Sequence, residues 1–190
     1  MFVRLTGCPL RCTYCDSEYA FYGGERKSFE AVVDDVAQYQ ARYVCVTGGE
    51  PLAQPGALAL LTMLCDQGYQ VSLETSGAMP LEGVDPRVSI VMDLKTPSSG
   101  EVHRNRYENI VLLKQKDQLK FVLCDRADYD WAVFKLHELE LVERVSDVLF
   151  SPSFETLAAK DLAEWILTDN LPVRMQVQLH KLIWGDIPGV

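Results

Sequence analysis

Short apolar runs and amphipathic stretches alternate along this chain from end to end, and that alternation limits the fold more than any other feature. Residues 2–6 read as a short strand. Ser28 is placed to cap a helix over residues 29–40, with Glu30 well set against the helix dipole. Residues 43–47 are β-branched and apolar, hence a buried strand. Pro55 suits the first turn of a helix that Gly68 would stop. Residues 70–74 and 88–94 read as strands, and residues 105–114 as a helix. Residues 119–124 are strand, 128–140 helix, 147–151 strand, 158–169 helix, and 173–180 a closing strand. Strands and helices alternating in this way imply an α/β fold of parallel strands with helical crossovers. The spacing fits an open sheet or one curled into a partial barrel. The chain has 190 residues and no internal repeat or Pro/Gly/Ser-rich linker, so residues 1–190 are expected to form a single domain.

Charge narrows the partners. Lys and Arg number 18 against 27 Asp and Glu, a formal charge of -9. Such a field repels duplex nucleic acid unless a local basic patch overrides it, and the cluster His103, Arg104 and Arg106 is flanked by acids. No apolar run approaches the roughly 20 residues of a membrane span, and residues 1–10 lack the plan of a signal peptide. The expected location is the cytoplasm, with no nucleic-acid or membrane partner. Six cysteines in a reducing compartment point to metal ligands, catalytic groups or buried thiols rather than disulfides.

Ligands of parallel α/β folds gather at the carboxyl ends of the strands. Polar, glycine-bearing segments fall at such ends here: residues 7–24, 48–51, 75–77, 95–100 and 151–154. The first carries Cys8, Cys12 and Cys15, spaced C-x3-C-x2-C. A closed zinc site needs a fourth ligand. The next cysteine, Cys45, lies inside a strand and the first histidine is His103. A cubane iron–sulfur cluster held by three thiolates keeps one iron open for chemistry. A zinc loop completed by a distant residue or a second chain is the bland alternative. Cys45, Cys65 and Cys124 have apolar neighbours and read as small buried hydrophobes. At the next strand end, Thr47-Gly48-Gly49-Glu50-Pro51 lets backbone approach a ligand, and its carbonyls with Glu50 suit an ammonium group.

Together these motifs resemble the radical S-adenosylmethionine (SAM) superfamily. More narrowly, the chain is similar to the 7-carboxy-7-deazaguanine synthase family, along essentially its whole length. The residues that carry the likeness are 2–8, Cys15-Asp16-Ser17, 46–51, Glu74-Thr75-Ser76-Gly77, Asp93-Leu94-Lys95 and Gln178-Leu179-His180-Lys181. The resemblance implies an incomplete TIM-like barrel. It also implies a radical lyase converting 6-carboxy-5,6,7,8-tetrahydropterin to 7-carboxy-7-deazaguanine with loss of ammonia, in queuosine and 7-deazapurine biosynthesis. SAM would be a catalytic initiator, cleaved to a 5′-deoxyadenosyl radical and regenerated. Magnesium, a flavodoxin-like electron donor and a homodimer are implied too.

Roles follow residue by residue from the same resemblance. Cys8, Cys12 and Cys15 would hold a [4Fe-4S] cluster whose open iron chelates SAM. Tyr14, Asp16, Gly48, Gly49, Glu50 and Gly77 would contact SAM, with Asp93, Leu94, Lys95, Ser151, Pro152, Ser153 and Phe154 wrapping the adenosine. Ser17 stands where the family places a magnesium-binding hydroxyl, commonly Thr. Arg4, Thr75 and the terminal Val190 would contact the pterin. Arg174, Gln176, Gln178 and His180 would share one face of the last strand, either a wet face or a polar wall for the substrate. Family members carry a further segment before Phe2, so the chain is expected to be truncated at its N-terminus relative to them. Another radical SAM enzyme, such as a glycyl-radical-enzyme activase, or a non-enzymatic zinc module are the competing readings.

Overall fold

The computed structural model describes residues 1–185, 187 and 189. Seven strands form one sheet: β1 (Phe2–Leu5), β2 (Tyr43–Gly48), β3 (Gln70–Thr75), β4 (Ser89–Asp93), β5 (Gln118–Leu123), β6 (Asp147–Pro152) and β7 (Arg174–Met175). Their order in space is their order in the chain, and every pairing is parallel. The sheet does not close, because β1 and β7 are its two edges. The incomplete barrel of parallel strands is therefore observed.

Helices α1 (Phe29–Ala37), α2 (Ala57–Asp66), α3 (Arg126–Glu138), α4 (Leu141–Arg144), α5 (Ala159–Thr168) and α6 (Leu179–Trp184) connect or follow the strands. Ser28 caps α1 by accepting from the Ala31 amide at 3.2 Å, as expected. Asp125 caps α3 in the same way at 2.9 Å, so that helix begins earlier than its sequence pattern indicates. Gly68, at φ +87°, ends α2 where a left-handed residue is required.

Side-chain alternation gives the sheet two unlike faces. Val44, Val46, Val71, Leu73, Ile90, Met92, Leu119, Phe121, Leu123, Val148 and Phe150 are buried on one face. They build the core with Leu60, Leu61 and Leu64 of α2 and Tyr129, Ala132 and Leu136 of α3. The opposite face carries Arg4, Cys45, Thr47, Ser72, Glu74, Asp93, Gln118 and Lys120, and most of these are only half-buried. This polar wall, together with the loops at the carboxyl ends of the strands, positions the candidate site.

Three expectations are corrected. The helix over residues 105–114 is instead a pair of short 3-10 turns, Val102–Arg104 and Tyr107–Leu112. Asn109 explains the change. Its buried amide donates to the carbonyls of Gly77 (3.0 Å) and Met79 (2.9 Å) and accepts from the Leu81 amide (3.2 Å). A side chain bound to another loop in this way ties a turn rather than facing along a helix. The closing strand over residues 173–180 shrinks to Arg174–Met175, and Leu179–Trp184 turns helical. The ladder with β6 runs out because Pro152 offers no N–H to extend it. Finally, Cys45 and Cys124 are only half-buried, and Cys45 points to the polar wall rather than into the core; Cys65 alone of the three is buried.

Candidate active site

The loop after β1 holds its shape without regular structure. The Gly7 amide donates to the Ala20 carbonyl at 2.7 Å, and Leu10 is 1% exposed beneath the loop. The Arg11 guanidinium donates to the carbonyls of Cys8 (2.8 Å) and Leu10 (2.7 Å) and lies over the Phe21 ring at 4.2 Å. Thr13 is fastened to the loop after β4: its amide donates to the Ser99 carbonyl at 3.1 Å and its hydroxyl to the Ser98 carbonyl at 2.6 Å. The result is a fixed frame for Cys8, Cys12 and Cys15, which are half-buried and unpaired. Burial pushes all three thiols up, Cys12 to about 11. As thiolates they would need a cationic partner that overrides this desolvation, and a metal supplies it.

This donor set fits an iron–sulfur cluster. Among the described residues no three His, Cys, Asp or Glu side chains are grouped as ligands of one metal ion. A cubane places each thiolate on a different iron. The segment Gly48–Glu50 lies directly against the loop. The Glu50 amide donates to the Gly7 carbonyl at 2.8 Å, and a Cβ on Gly49 would collide with that carbonyl and come within 3.0 Å of the Cys8 Cβ.

Glu50 is turned inward and is 0% exposed. Its carboxylate accepts from the Leu52 amide at 3.0 Å, the Thr75 hydroxyl at 2.9 Å, the Ser76 amide at 2.6 Å and the Ser76 hydroxyl. A buried carboxylate is tolerable only with such a set of donors. Glu50 therefore locks the ends of β2 and β3 together, and Thr75 spends its hydroxyl on that lock. The lock makes Ser76 a site residue that the sequence reading missed. Beside it, Gly77 holds φ +73° with no room for a Cβ, which would sit 2.7 Å from the Asp93 carbonyl oxygen.

The end of β4 brings together three charges. Asp93 receives Lys95 Nζ on Oδ2 at 2.6 Å and Lys120 Nζ on Oδ1 at 3.2 Å. Burial alone would raise the Asp93 carboxyl, but the two ammonium groups outweigh it and hold it below the usual carboxylate range. Burial would likewise lower Lys95, and Asp93 overrides it, so Lys95 is held above the ordinary lysine value. Lys120 was missed; the signal was a lone lysine within the apolar run 119–123. Leu94 points into the core at 2% exposure, leaving its backbone toward the site. The Tyr14 hydroxyl is buried next to Thr96 without a well-formed hydrogen bond.

Ser151 and Ser153 are buried at the end of β6, and the Ser153 amide donates to the Leu123 carbonyl at 2.8 Å. Phe154 is partly exposed, with Lys181 Nζ 5.0 Å from its ring. Ser153, Phe154 and Lys181 line a cavity together with Pro152 and Gln178. Gln178 crosses to the cysteine loop and donates to Asp16, whose other oxygen accepts from the Ser17 hydroxyl at 2.9 Å. Gln178 Oε1 is buried without a partner. Arg4 lies exposed on the polar face with its guanidinium 5.5 Å from the Tyr19 ring. His180 falls in α6, and Val190 lies outside the described residues.

Residues 2–106 match the model of the radical SAM superfamily. The 7-carboxy-7-deazaguanine synthase of Chlorobaculum tepidum is 43% identical, over all of this chain and 87% of the relative. That of Koribacter versatilis is 42% identical, over 97% of this chain and 88% of its own. That of Thermoplasma acidophilum is 34% identical, over 100% and 90%. Among solved structures, QueE from Escherichia coli superposes with a TM-score of 0.67 at 20% identity, covering 93% of this chain and 84% of that one. SuiB of Streptococcus suis, bound to its precursor peptide SuiA, gives 0.68 at 13% identity, covering 93% of this chain and 48% of that one. The chain therefore belongs to the radical SAM superfamily and, within it, to the 7-carboxy-7-deazaguanine synthase family.

Proposed function

We propose that this chain converts 6-carboxy-5,6,7,8-tetrahydropterin to 7-carboxy-7-deazaguanine with loss of ammonia, a step of queuosine and 7-deazapurine formation. The observation that carries this reading is the docking of the three-thiol loop against Gly48–Glu50 at one end of a half-open parallel barrel. When bound, a [4Fe-4S] cluster and SAM supply one-electron, hydrogen-abstracting chemistry. The chain's own residues do the rest. Cys8, Cys12 and Cys15 hold the cluster. Gly48 and Gly49 keep side chains out of the space beside it, and Glu50 fixes that turn from behind. Gly77, Asp93, Lys95, Tyr14 and residues 151–154 line the approach for SAM. Ser17, with Asp16 and the free carbonyl of Gln178, offers the hard oxygens that magnesium takes. Arg4 supplies a planar cation for the substrate carboxylate.

Anaerobic incubation of the reconstituted protein with SAM, reduced flavodoxin or dithionite, magnesium and the carboxytetrahydropterin should yield carboxydeazaguanine. Omission of magnesium should slow it. SAM cleavage by a fully loaded cluster with the pterin left intact would overturn the assignment. The chain is further inferred to act as a homodimer, which the solvent-facing Leu182, Ile183 and Trp184 of α6 support. Sedimentation at micromolar concentration showing only the 21.4 kDa species would exclude it.

A further inference from the structure

Lys120 stands in the middle of β5, directly opposite Asp93 of β4 in the parallel register. Its side chain is 20% exposed, on the polar wall rather than in solvent. An ammonium group in that position is costly unless carboxylates surround it. Asp93 contacts it at 3.2 Å, and the charge of Glu74 on β3, which accepts from the Thr47 hydroxyl at 3.2 Å, adds to that field. Lys120 takes Oδ1 of Asp93 and so leaves only Oδ2 to Lys95. Lys95, at the mouth of the barrel, thus shares its carboxylate with a second cation. If Lys120 were neutral, Asp93 would belong to Lys95 alone, and the wall around Lys95 would carry one more negative charge.

We propose that Lys120 is a positioning residue which, acting through Asp93, keeps the Lys95 ammonium available to a ligand carboxylate at the mouth of the barrel. This deepens the reading of the site given above and rests on it. Both SAM and the pterin substrate carry a carboxylate, so the measurement has two arms.

Lys120→Met, Lys120→Gln, Lys120→Arg and Lys95→Met are reconstituted anaerobically. Titration calorimetry then follows SAM and, separately, the carboxytetrahydropterin on the SAM-loaded protein. The electron paramagnetic resonance signal of the reduced cluster is recorded with and without SAM. Lys120→Met should bind one of the two ligands about tenfold more weakly, the size of a lost charge-assisted contact. Lys120→Arg should restore the affinity, with iron content unchanged throughout. Weakening in the SAM arm, with a smaller SAM-induced change in the resonance signal, assigns the contact to SAM; weakening in the second arm alone assigns it to the pterin. Wild-type affinity for both ligands in Lys120→Met, while Lys95→Met is impaired, overturns the proposal and leaves the site reading standing. Wild-type affinity in Lys95→Met removes Lys95 from the ligand site altogether, and the site reading falls there. If the methionine form loads no cluster, Lys120→Gln against Lys120→Arg carries the test, and equal affinities overturn it.

Discussion

Gly49 shows how a missing side chain can hold a site together. Its Cα lies so near the cysteine loop that a Cβ would strike the Gly7 carbonyl and press on the Cys8 side chain. Gly49→Ala must push the loop away, and overpacking of this kind costs about 2 kcal/mol. Cys8 then moves relative to Cys12 and Cys15, so the variant should take up clearly less iron and sulfide on reconstitution. Its urea midpoint should fall as well. Iron content equal to wild type would show that the loop has slack the geometry denies. The sequence marked the Gly-Gly-Glu triplet as a turn of close backbone approach, and the turn does lie against the cysteine loop. The burial of Glu50 against Thr75 and Ser76 was not legible there, because those donors come from a separate strand end and no local pattern announces the pairing.

At the scale of elements, α3 supports the cysteine loop from a distance. Asp128, in its first turn, is 0% exposed. Its carboxylate accepts from the Thr96 hydroxyl, the Ser98 amide and the Cys124 amide, each at 3.0 Å. The carbonyls of Ser98 and Ser99 in turn receive Thr13, which lies between Cys12 and Cys15. Asp128→Ala strands these donors in a buried site and should cost about 3 kcal/mol, read as a lowered urea midpoint at unchanged slope. Asp128→Asn, which keeps an acceptor oxygen, should lose less. Equal stability of the alanine form and wild type would remove Asp128 as an anchor. The strands themselves were legible, since β-branched and apolar runs such as 43–47 and 119–123 have no other economical use. The failures were short segments. Residues 105–114 and 179–184 are short, and brief apolar runs such as 110–113 and 182–184 satisfy helix and strand periods alike. Tertiary bonds from Asn109 and the end of the β6 ladder at Pro152 decided them.

For the molecule as a whole, the charges of the polar wall set the pH range of stability. Asp93 is depressed in the folded state, so its contribution is present above its unfolded value of about 3.9 and is lost as pH falls through the lower folded value. The reverse holds for groups raised in the fold. The Cys45 thiol is pushed up to about 11 by burial first and by the Glu74 carboxylate second. Its contribution is complete below the unfolded value of about 8.5 and is lost as pH rises toward 11. Lys95 and Lys120 add a loss that sets in only above about 10.4, since both are raised in the fold. For the protein without its cluster, urea midpoints should thus hold steady between about pH 4.5 and pH 8 and decline on both sides. Asp93→Asn separates the acid limb from the general protonation of the other carboxylates. It should be less stable than wild type at pH 7, where two ammonium groups lose their shared partner, and the gap should narrow as pH falls below the unfolded value of about 3.9, where the unfolded chain takes up its proton before the native carboxylate does. A gap that stays constant down to pH 2.5 would mean that Asp93 is not held ionised by its two lysines, and the coupling across β4 and β5 would lose its electrostatic basis.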